Sequence, residues 1–181
     1  MSTHSIIERI QGSALAEWMR HTSAAPVIEA THVVAAVLLF GTVLVVDLRL
    51  LGLADSSRPF SRVGRETLPL VWLAFVVSVI TGSLMFTPSA QTYAGNTAFQ
   101  LKAMALLGAG LNMALFHLGT ARRLPAWDVH APAPQAARLA GLASVLLWSA
   151  VVLLGRWIGF TKGYDFSIPP GVELGFPIGP E

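Results

Sequence analysis

Hydrophobic residues along this chain are concentrated in four long runs, which polar segments separate. The runs cover residues 26–53, 68–86, 98–120 and 136–160. A helix needs about 20 mostly apolar residues to cross about 30 Å of hydrocarbon, and these runs meet or nearly meet that length. The pattern predicts an all-α, polytopic membrane protein whose centre is a bundle of four transmembrane helices.

Local signals place the ends of these helices. Pro26 and Pro69 stand where prolines are favoured, near the starts of the first and second long helices. Thr97 and Gln100 have the spacing of a capping box, which predicts that the third long helix opens there. The sequence Ala-Arg-Arg-Leu-Pro at 121–125 predicts the end of that helix, because proline does not continue it.

The chain begins with a more polar segment whose apolar residues recur at helical spacing. Ser5 and Glu8 fit a capping box, and residues 5–19 are predicted to form an amphipathic helix with Trp18 at headgroup level. The charges of this segment and its lack of a continuous apolar core argue against a secretory signal. The helix is expected either to lie on the membrane surface or to pack on the end of the bundle.

Composition agrees with a membrane protein. Hydrophobic residues make up 54% of the chain and charged residues only 12%, whereas about 25% charged residues is typical of soluble domains. The chain has no cysteine, which excludes disulfides, thiolate metal sites, iron–sulfur clusters and covalently attached c-type haem. The formal net charge is +2, and the arginines are interpreted as markers of topology rather than as a nucleic-acid-binding surface.

Basic residues predict the orientation of the bundle. The connection at 87–96 has none, whereas the first and third connections are rich in arginine. By the positive-inside rule these two connections face the cytoplasm, so both termini are expected outside a bacterial inner (plasma) membrane. The arginines concerned are Arg49, Arg58, Arg62, Arg65, Arg122, Arg123 and Arg138.

The prediction divides the chain into three parts. Residues 1–25 form the surface helix and its connector, residues 26–160 form the bundle, and residues 161–181 form an extended outer-face tail. The tail is rich in proline and glycine but keeps several large apolar residues, so it is more apolar than most disordered linkers. It is expected to lie across the outer face, to dock on a partner, or to remain a free end.

Ionisable residues inside the apolar runs are the main candidates for function, because such residues are costly in a membrane and are commonly functional. By their depth they fall into an outer group and an inner group. The outer group is Glu29, His32, Lys102 and Arg156, and the inner group is Asp47, Arg49 and His117.

The outer group has the composition of a haem b site. His32 is the candidate axial ligand, and Glu29, three residues earlier, is expected to lie beside the imidazole and to fix its tautomer. Lys102 and Arg156 are the candidate partners of the haem propionates, and Trp148, on the same stripe as Arg156, is a candidate lining residue. These positions predict a metal and cofactor site on His32.

The second axial ligand has several candidates. Met85 and Lys102 are two of them, and His21, in the connector before the first long helix, is a third. A five-coordinate iron, with no second protein ligand, is the remaining alternative. A structural alternative also stays open. In it, His32 bonds a neighbouring carbonyl, and Lys102 and Arg156 extend to the headgroups.

The inner group favours a structural role. Asp47 and Arg49 lie at the end of the first long helix, where the arginine is a stop signal and the aspartate is its expected partner. A second haem would ordinarily need two histidines, and only His117 is available at that depth.

Three segments resemble a family of uncharacterised bacterial four-helix inner-membrane proteins. They are DLRLLGL at 47–53, FQLKAMALLGAGLN at 99–112 and LLWSAVVLLGRWIGF at 146–160. More remotely, His32 with Lys102 is similar to the His and Lys pair of HemJ-type protoporphyrinogen oxidases, and the layout resembles CopD-type copper-resistance membrane domains. The HemJ resemblance implies haem b on His32 and an essential Lys102, whereas the N-terminal helix and the long tail depart from that pattern.

These observations support three functional hypotheses. The first is a membrane b-type haem protein for electron transfer or a small oxidoreduction, which would act with a membrane redox partner. The second is a non-catalytic accessory subunit that docks on a larger membrane complex. The third is a small transporter or copper-handling protein, which is the weakest because the chain has four unbroken helices and no internal repeat.

Overall fold

The computed structural model describes residues 3–54, 59–120, 128 and 133–161, and these residues contain helices and no strand. Residues 162–181, which hold the predicted tail, lie outside the described residues, as do Arg58, Arg122 and Arg123. In chain order the elements are α1 (Thr3–Gln11), α2 (Ala14–His21), α3 (Ala25–Leu51), α4 (Phe60–Phe86), a 3-10 turn (Thr87–Ser89), α5 (Ala90–Gly95), α6 (Thr97–Leu118) and α7 (Gln135–Thr161).

Four helices are long and apolar enough to cross a membrane, which confirms the four predicted apolar helices. They are α3, α4 with its continuation into α5, α6 and α7. Helix α3 packs against both α4 and α7, and α6 packs against α7. Glycines permit close approach: a Cβ atom added at Gly108 of α6 would stand 3.1 Å from Leu147 of α7, and one at Gly141 of α7 would stand 3.1 Å from Leu50 of α3.

Side chains close the fourth side of the bundle, between α4 and α6. These two helices have few close backbone contacts, and aromatic rings join them near both ends. Phe86 stacks on Phe99 with ring centroids 5.5 Å apart, and Phe60 meets Phe116 edge to face at 5.8 Å. This side of the bundle is therefore wider than the three sides on which the helices pack directly.

Helix α4 begins at Phe60, two turns before the predicted start. The prediction from Pro69 is wrong, because this proline lies inside the helix rather than in its first turn. Pro59 precedes the helix in an extended conformation, and Asp128 caps it by accepting hydrogen bonds from Ser61. The first two turns of α4 are too polar for a hydropathy pattern to include them.

Helix α6 has Asn96 as its N-cap, whose side-chain oxygen accepts a hydrogen bond from Phe99 N at 3.1 Å. The predicted capping box is therefore wrong, and Gln100 Nε2 instead donates to Ala94 O. Asn96 Nδ2 also donates to Thr161 Oγ1, at the end of α7, over 3.0 Å. One side chain thus starts α6 and ties it to α7.

The N-terminal segment forms two helices rather than the single predicted helix over 5–19. The helix breaks at Gly12, and Ser13 caps α2 by accepting a hydrogen bond from Ala16 N. Because α1 already begins at Thr3, Ser5 lies inside its first turn and is not the predicted cap.

Both short helices pack on one end of the bundle. Gln11 Oε1 accepts a hydrogen bond from Gln91 N at 2.9 Å, and Arg20 Nη1 donates to Pro88 O at 3.3 Å. These contacts match the alternative in which the N-terminal segment packs on the bundle end. We call this end, where α3 begins, the His32 end, and the opposite end the Asp47 end.

Candidate functional site

His32 lies on the packed face of α3, near the start of the helix. Its side chain is half-buried, and the face that carries it continues along the whole of α3. The residues of this face are His32, Ala35, Leu39, Asp47 and Leu50. The face therefore holds one ionisable side chain near each end of the helix.

The His32 imidazole is fixed by hydrogen bonds to α4. Nδ1 lies 3.0 Å from Ser78 O and 3.0 Å from Thr81 Oγ1. A carbonyl oxygen only accepts, and the Thr81 hydroxyl already donates to Val77 O at 2.6 Å. Nδ1 must therefore carry the proton, which leaves Nε2 of the neutral ring with a free lone pair.

A glycine on α4 provides the space for this ring. A Cβ atom added at Gly82 would stand 3.0 Å from His32 Cε1, closer than side chains normally approach. Ser78 contributes a second feature, since its Oγ is buried and has no hydrogen-bond partner among the described residues. A buried hydroxyl without a partner is uncommon and indicates unused bonding capacity beside His32.

Lys102 extends from α6 toward α7 at the same end of the bundle. Its Nζ lies against Gly155, where an added Cβ atom would be 3.3 Å away. Its charge interacts with the imidazole of His32, but within the described part of the chain it forms no hydrogen bond or ion pair. We call His32, Ser78, Thr81, Gly82, Lys102 and Gly155 the His32 cluster.

Two other predicted site residues lie at the edge of this cluster. Glu29 is exposed, and although its charge interacts with the His32 ring, α4 rather than Glu29 fixes the tautomer. Met85 is half-buried and follows Thr81 by four residues, so it lies on the same face of α4 one turn nearer the helix end.

Arg156 is not brought into the cluster, contrary to the prediction, whereas the place of Trp148 as a lining residue stays a prediction. Arg156 is exposed, and its guanidinium carbon lies 5.0 Å from the centroid of the Phe160 ring on its own helix. Trp148 is only half-buried. The packed face of α7 is instead formed by Ala137, Gly141, Ser144, Val151 and Ile158.

The other histidines considered as ligands are exposed. His117 has its Nδ1 2.9 Å from Met113 O of the same helix, and His21 pairs through Nε2 with Glu17 at 2.8 Å. Neither faces His32. Within the described ranges, no group of three or more His, Cys, Asp and Glu side chains is placed to hold a metal ion.

Asp47 and Arg49 are both buried but do not pair, which corrects the prediction for this end. Residues two apart on a helix do not face each other. The Asp47 carboxyl accepts a hydrogen bond from Ser144 of α7, whereas the charge of Arg49 interacts with Asp128.

Asp128 links the third connection to the start of α4. Its Oδ1 accepts from Ser61 N at 2.8 Å, and its Oδ2 accepts from Ser61 Oγ at 2.5 Å. Burial alone would raise the pKa of the Asp128 carboxyl, but the hydrogen bonds from Ser61 and Phe60 N and the charge of Arg49 together lower it below its usual range. The carboxylate is therefore charged at neutral pH.

Sequence reasoning found His32 and Lys102 but missed their partners. Ser78, Thr81, Gly82 and Gly155 are ordinary residues for a membrane helix, and nothing in their spacing marks them as a site. Together, the His32 cluster offers an imidazole lone pair, an ammonium group and a hydroxyl with unused capacity. That combination can bind a ligand that has both a metal or polar centre and a negative charge.

A family model matches residues 22–161, a range that begins directly after α2 and contains the whole His32 cluster. The chain belongs to DUF6644, a family of unknown function. The DUF6644 range coincides with the four long helices, so α1 and α2 lie outside it. A search of curated proteins and a search of solved structures found no match. These comparisons agree with the resemblance to an uncharacterised family and give no support to the HemJ and CopD resemblances.

Proposed function

We propose that this chain is an integral membrane protein that binds haem b on His32 for electron transfer or a small oxidoreduction. The observation that carries the proposal is the bonding of the imidazole. Nδ1 donates to Ser78 O and Thr81 Oγ1, which leaves Nε2 as a free ligand. Histidines that bind metals are commonly held in this way through the other ring nitrogen.

Lys102 supports an anionic ligand at the same end of the bundle. Lys102 is half-buried and has no acceptor among the described residues, which is unfavourable for an ammonium group in a membrane protein unless a negative charge or water satisfies it. A haem propionate has the required charge. Arg156 has no part in this proposal, because its guanidinium lies over Phe160.

The wide side between α4 and α6 favours a flat ligand. The helices are bridged there by aromatic rings rather than by direct backbone contact, and α4 carries the groups that orient His32. Met85, on the same face of α4, is the candidate second ligand, and a five-coordinate iron is the alternative. Haem bound here would supply a one-electron redox couple, while the chain's own residues hold the imidazole and balance the propionate charge.

The test is an absorbance spectrum of the purified full chain in detergent, oxidised and reduced, after expression in haem-replete cells. We expect a haem Soret band that is lost in His32→Ala. His117→Ala is the matched control, because that histidine is exposed and bonds its own helix, and it should leave the band unchanged.

The lysine supplies an independent arm of the test. Lys102→Ala should weaken haem retention during purification, and Lys102→Arg should restore part of it, because arginine keeps the charge. A folded but colourless wild-type protein would overturn the haem proposal and leave the accessory-subunit hypothesis. A Soret band that survives His32→Ala would overturn the assignment of the ligand.

We also propose a bacterial inner-membrane location with both termini outside. The exposed residues Arg62 and Arg65 at the Asp47 end support a cytoplasmic position for that end. Because the chain has no cysteine, single cysteines can report the side directly. A membrane-impermeant maleimide added to intact spheroplasts should label Glu17→Cys and not Arg62→Cys, and the reverse pattern would overturn the orientation.

A further inference from the structure

Among the described residues at the Asp47 end, Asp47 is the most buried ionisable side chain. Only 4% of its surface is exposed, and its Oδ2 has no hydrogen-bond partner among the described residues. Its other contact is the hydrogen bond from Ser144. Helix α7 comes close here, since a Cβ atom at Gly141 would stand 3.2 Å from Asp47 O. The carboxyl is therefore enclosed between α3 and α7.

No counter-ion pairs with this carboxyl within the described residues. Asp47 forms no ion pair there, the charge of Arg49 interacts with Asp128, and Arg62 pairs with Glu66 on the surface of α4. The remaining ionisable groups on the helices at this end are exposed. They are Arg65 on α4, His117 on α6 and Arg138 on α7.

An enclosed carboxylate without a counter-ion is strongly disfavoured, and one hydroxyl donor does not replace its hydration. We infer that Asp47 is a proton-binding site, which holds a proton in the resting protein and exchanges it with the aqueous phase at the Asp47 end. Asp47 lies four residues before the end of α3, or about 6 Å along the helix, so the exchange path is short.

The geometry favours a proton over a metal cation as the ligand of this site. Hard cations such as Ca²⁺ take six or more oxygen ligands, and Mg²⁺ requires near-octahedral geometry. Here the described side chains supply only one carboxyl and one hydroxyl, and Oδ2 of Asp47 is the one carboxyl oxygen among them that is buried without a partner. This inference concerns the opposite end of α3 from His32 and does not depend on haem.

Infrared spectroscopy of the full chain in lipid nanodiscs tests this inference. At neutral pH we expect the carbonyl stretch of a protonated carboxylic acid, whereas exposed aspartates lose theirs near pH 4. Carboxyl-¹³C aspartate should shift the band, and Asp47→Asn should remove it. Glu66→Gln, the same kind of change at an exposed acid of α4, should leave it in place.

Further measurements make the result decisive. Transfer into D₂O should shift the band, which shows that the proton exchanges. Ser144→Ala keeps the carboxyl but removes its donor, so it should move the band without abolishing it, and this variant covers the case in which Asp47→Asn fails to fold. Absence of an aspartate band at neutral pH, or its loss on adding Na⁺ at constant pH, would overturn the inference, the latter by indicating a cation site.

Discussion

The hydrogen bonding of His32 depends on Gly82, a neighbour that has no side chain. Gly82 allows the imidazole to approach α4, where Ser78 O and Thr81 take up Nδ1–H. From sequence alone His32 stands out because an ionisable residue in an apolar run is rare. Its partners are not recognisable in the sequence. They depend on which helix packs beside α3 and on how the two helices are aligned along their axes.

Gly82→Ala should disturb the imidazole directly. The new Cβ atom would stand 3.0 Å from His32 Cε1, so the ring must move and its bonds to Ser78 and Thr81 must lengthen. We expect a loss of about 1–3 kcal/mol in the free energy of unfolding, as for overpacking elsewhere. Unfolding in detergent measures the loss, and ¹⁵N NMR of the imidazole reports the change in bonding.

Gly41→Ala is the matched control for this substitution. A Cβ atom at Gly41 meets nothing within 4 Å, and the helix propensity of alanine favours the change by up to about 1 kcal/mol. Equal effects of the two substitutions would mean that Gly82 does not shape the position of His32.

Arg156 shows why the helix face on which a residue lies is harder to predict than its position along the helix. Helix α7 carries apolar residues on most of its sides, so hydropathy alone does not decide which stripe packs against its neighbours. The packed stripe follows the small residues Ala137, Gly141 and Ser144, which let α3 approach. Arg156 lies outside this stripe.

At the scale of elements, hydropathy predicted the apolar parts of the long helices and missed the polar start of α4. The first two turns of α4 were not predicted, because Phe60 to Thr67 includes two arginines and a glutamate. Asp128, which is distant in sequence, caps these turns by accepting hydrogen bonds from Ser61. Such a cap cannot be found from local spacing.

Asp128→Ala should loosen the start of α4. Loss of an N-cap typically costs about 1 kcal/mol, and here two hydrogen bonds from Ser61 are lost together. Because the pKa of Asp128 is lowered in the folded chain, its contribution is present above its unfolded pKa of about 4 and is lost as the pH falls through the folded value. Wild-type unfolding followed from pH 7 downward should show this acid-dependent loss, and the variant should lack it.

Glu66→Ala serves as the control for Asp128→Ala. Its exposed ion pair with Arg62 is expected to contribute less than about 1 kcal/mol at neutral pH. If Asp128→Ala were no more destabilising than Glu66→Ala, the hydrogen bonds between Asp128 and Ser61 would not contribute to the stability of the chain.

At the scale of the whole molecule, the number of long apolar helices was predictable and their packing was not. The order in which α4, α3, α7 and α6 touch is set by where small residues allow backbones to meet, which a single sequence does not rank. The wide side between α4 and α6 follows from that order.

Phe99→Ala should weaken this wide side selectively. The Phe99 ring stacks on Phe86 at 5.5 Å and lies 5.6 Å from Tyr93, and each aromatic pair contributes about 0.5–1.5 kcal/mol beyond its buried area. We expect a lower thermal stability than in Phe160→Ala, whose ring contacts Trp157 within α7. A larger effect at Phe160 would contradict the role given to the rings between α4 and α6.

Gly82 and Gly155 each face a polar side chain of another helix, His32 and Lys102 respectively. The consequence is evolutionary. A DUF6644 member that keeps the imidazole should be unable to place a bulky residue opposite it, and one that has lost the imidazole should be free to do so. Paired changes at 32 with 82, and at 102 with 155, should therefore mark which members of the family retain the site.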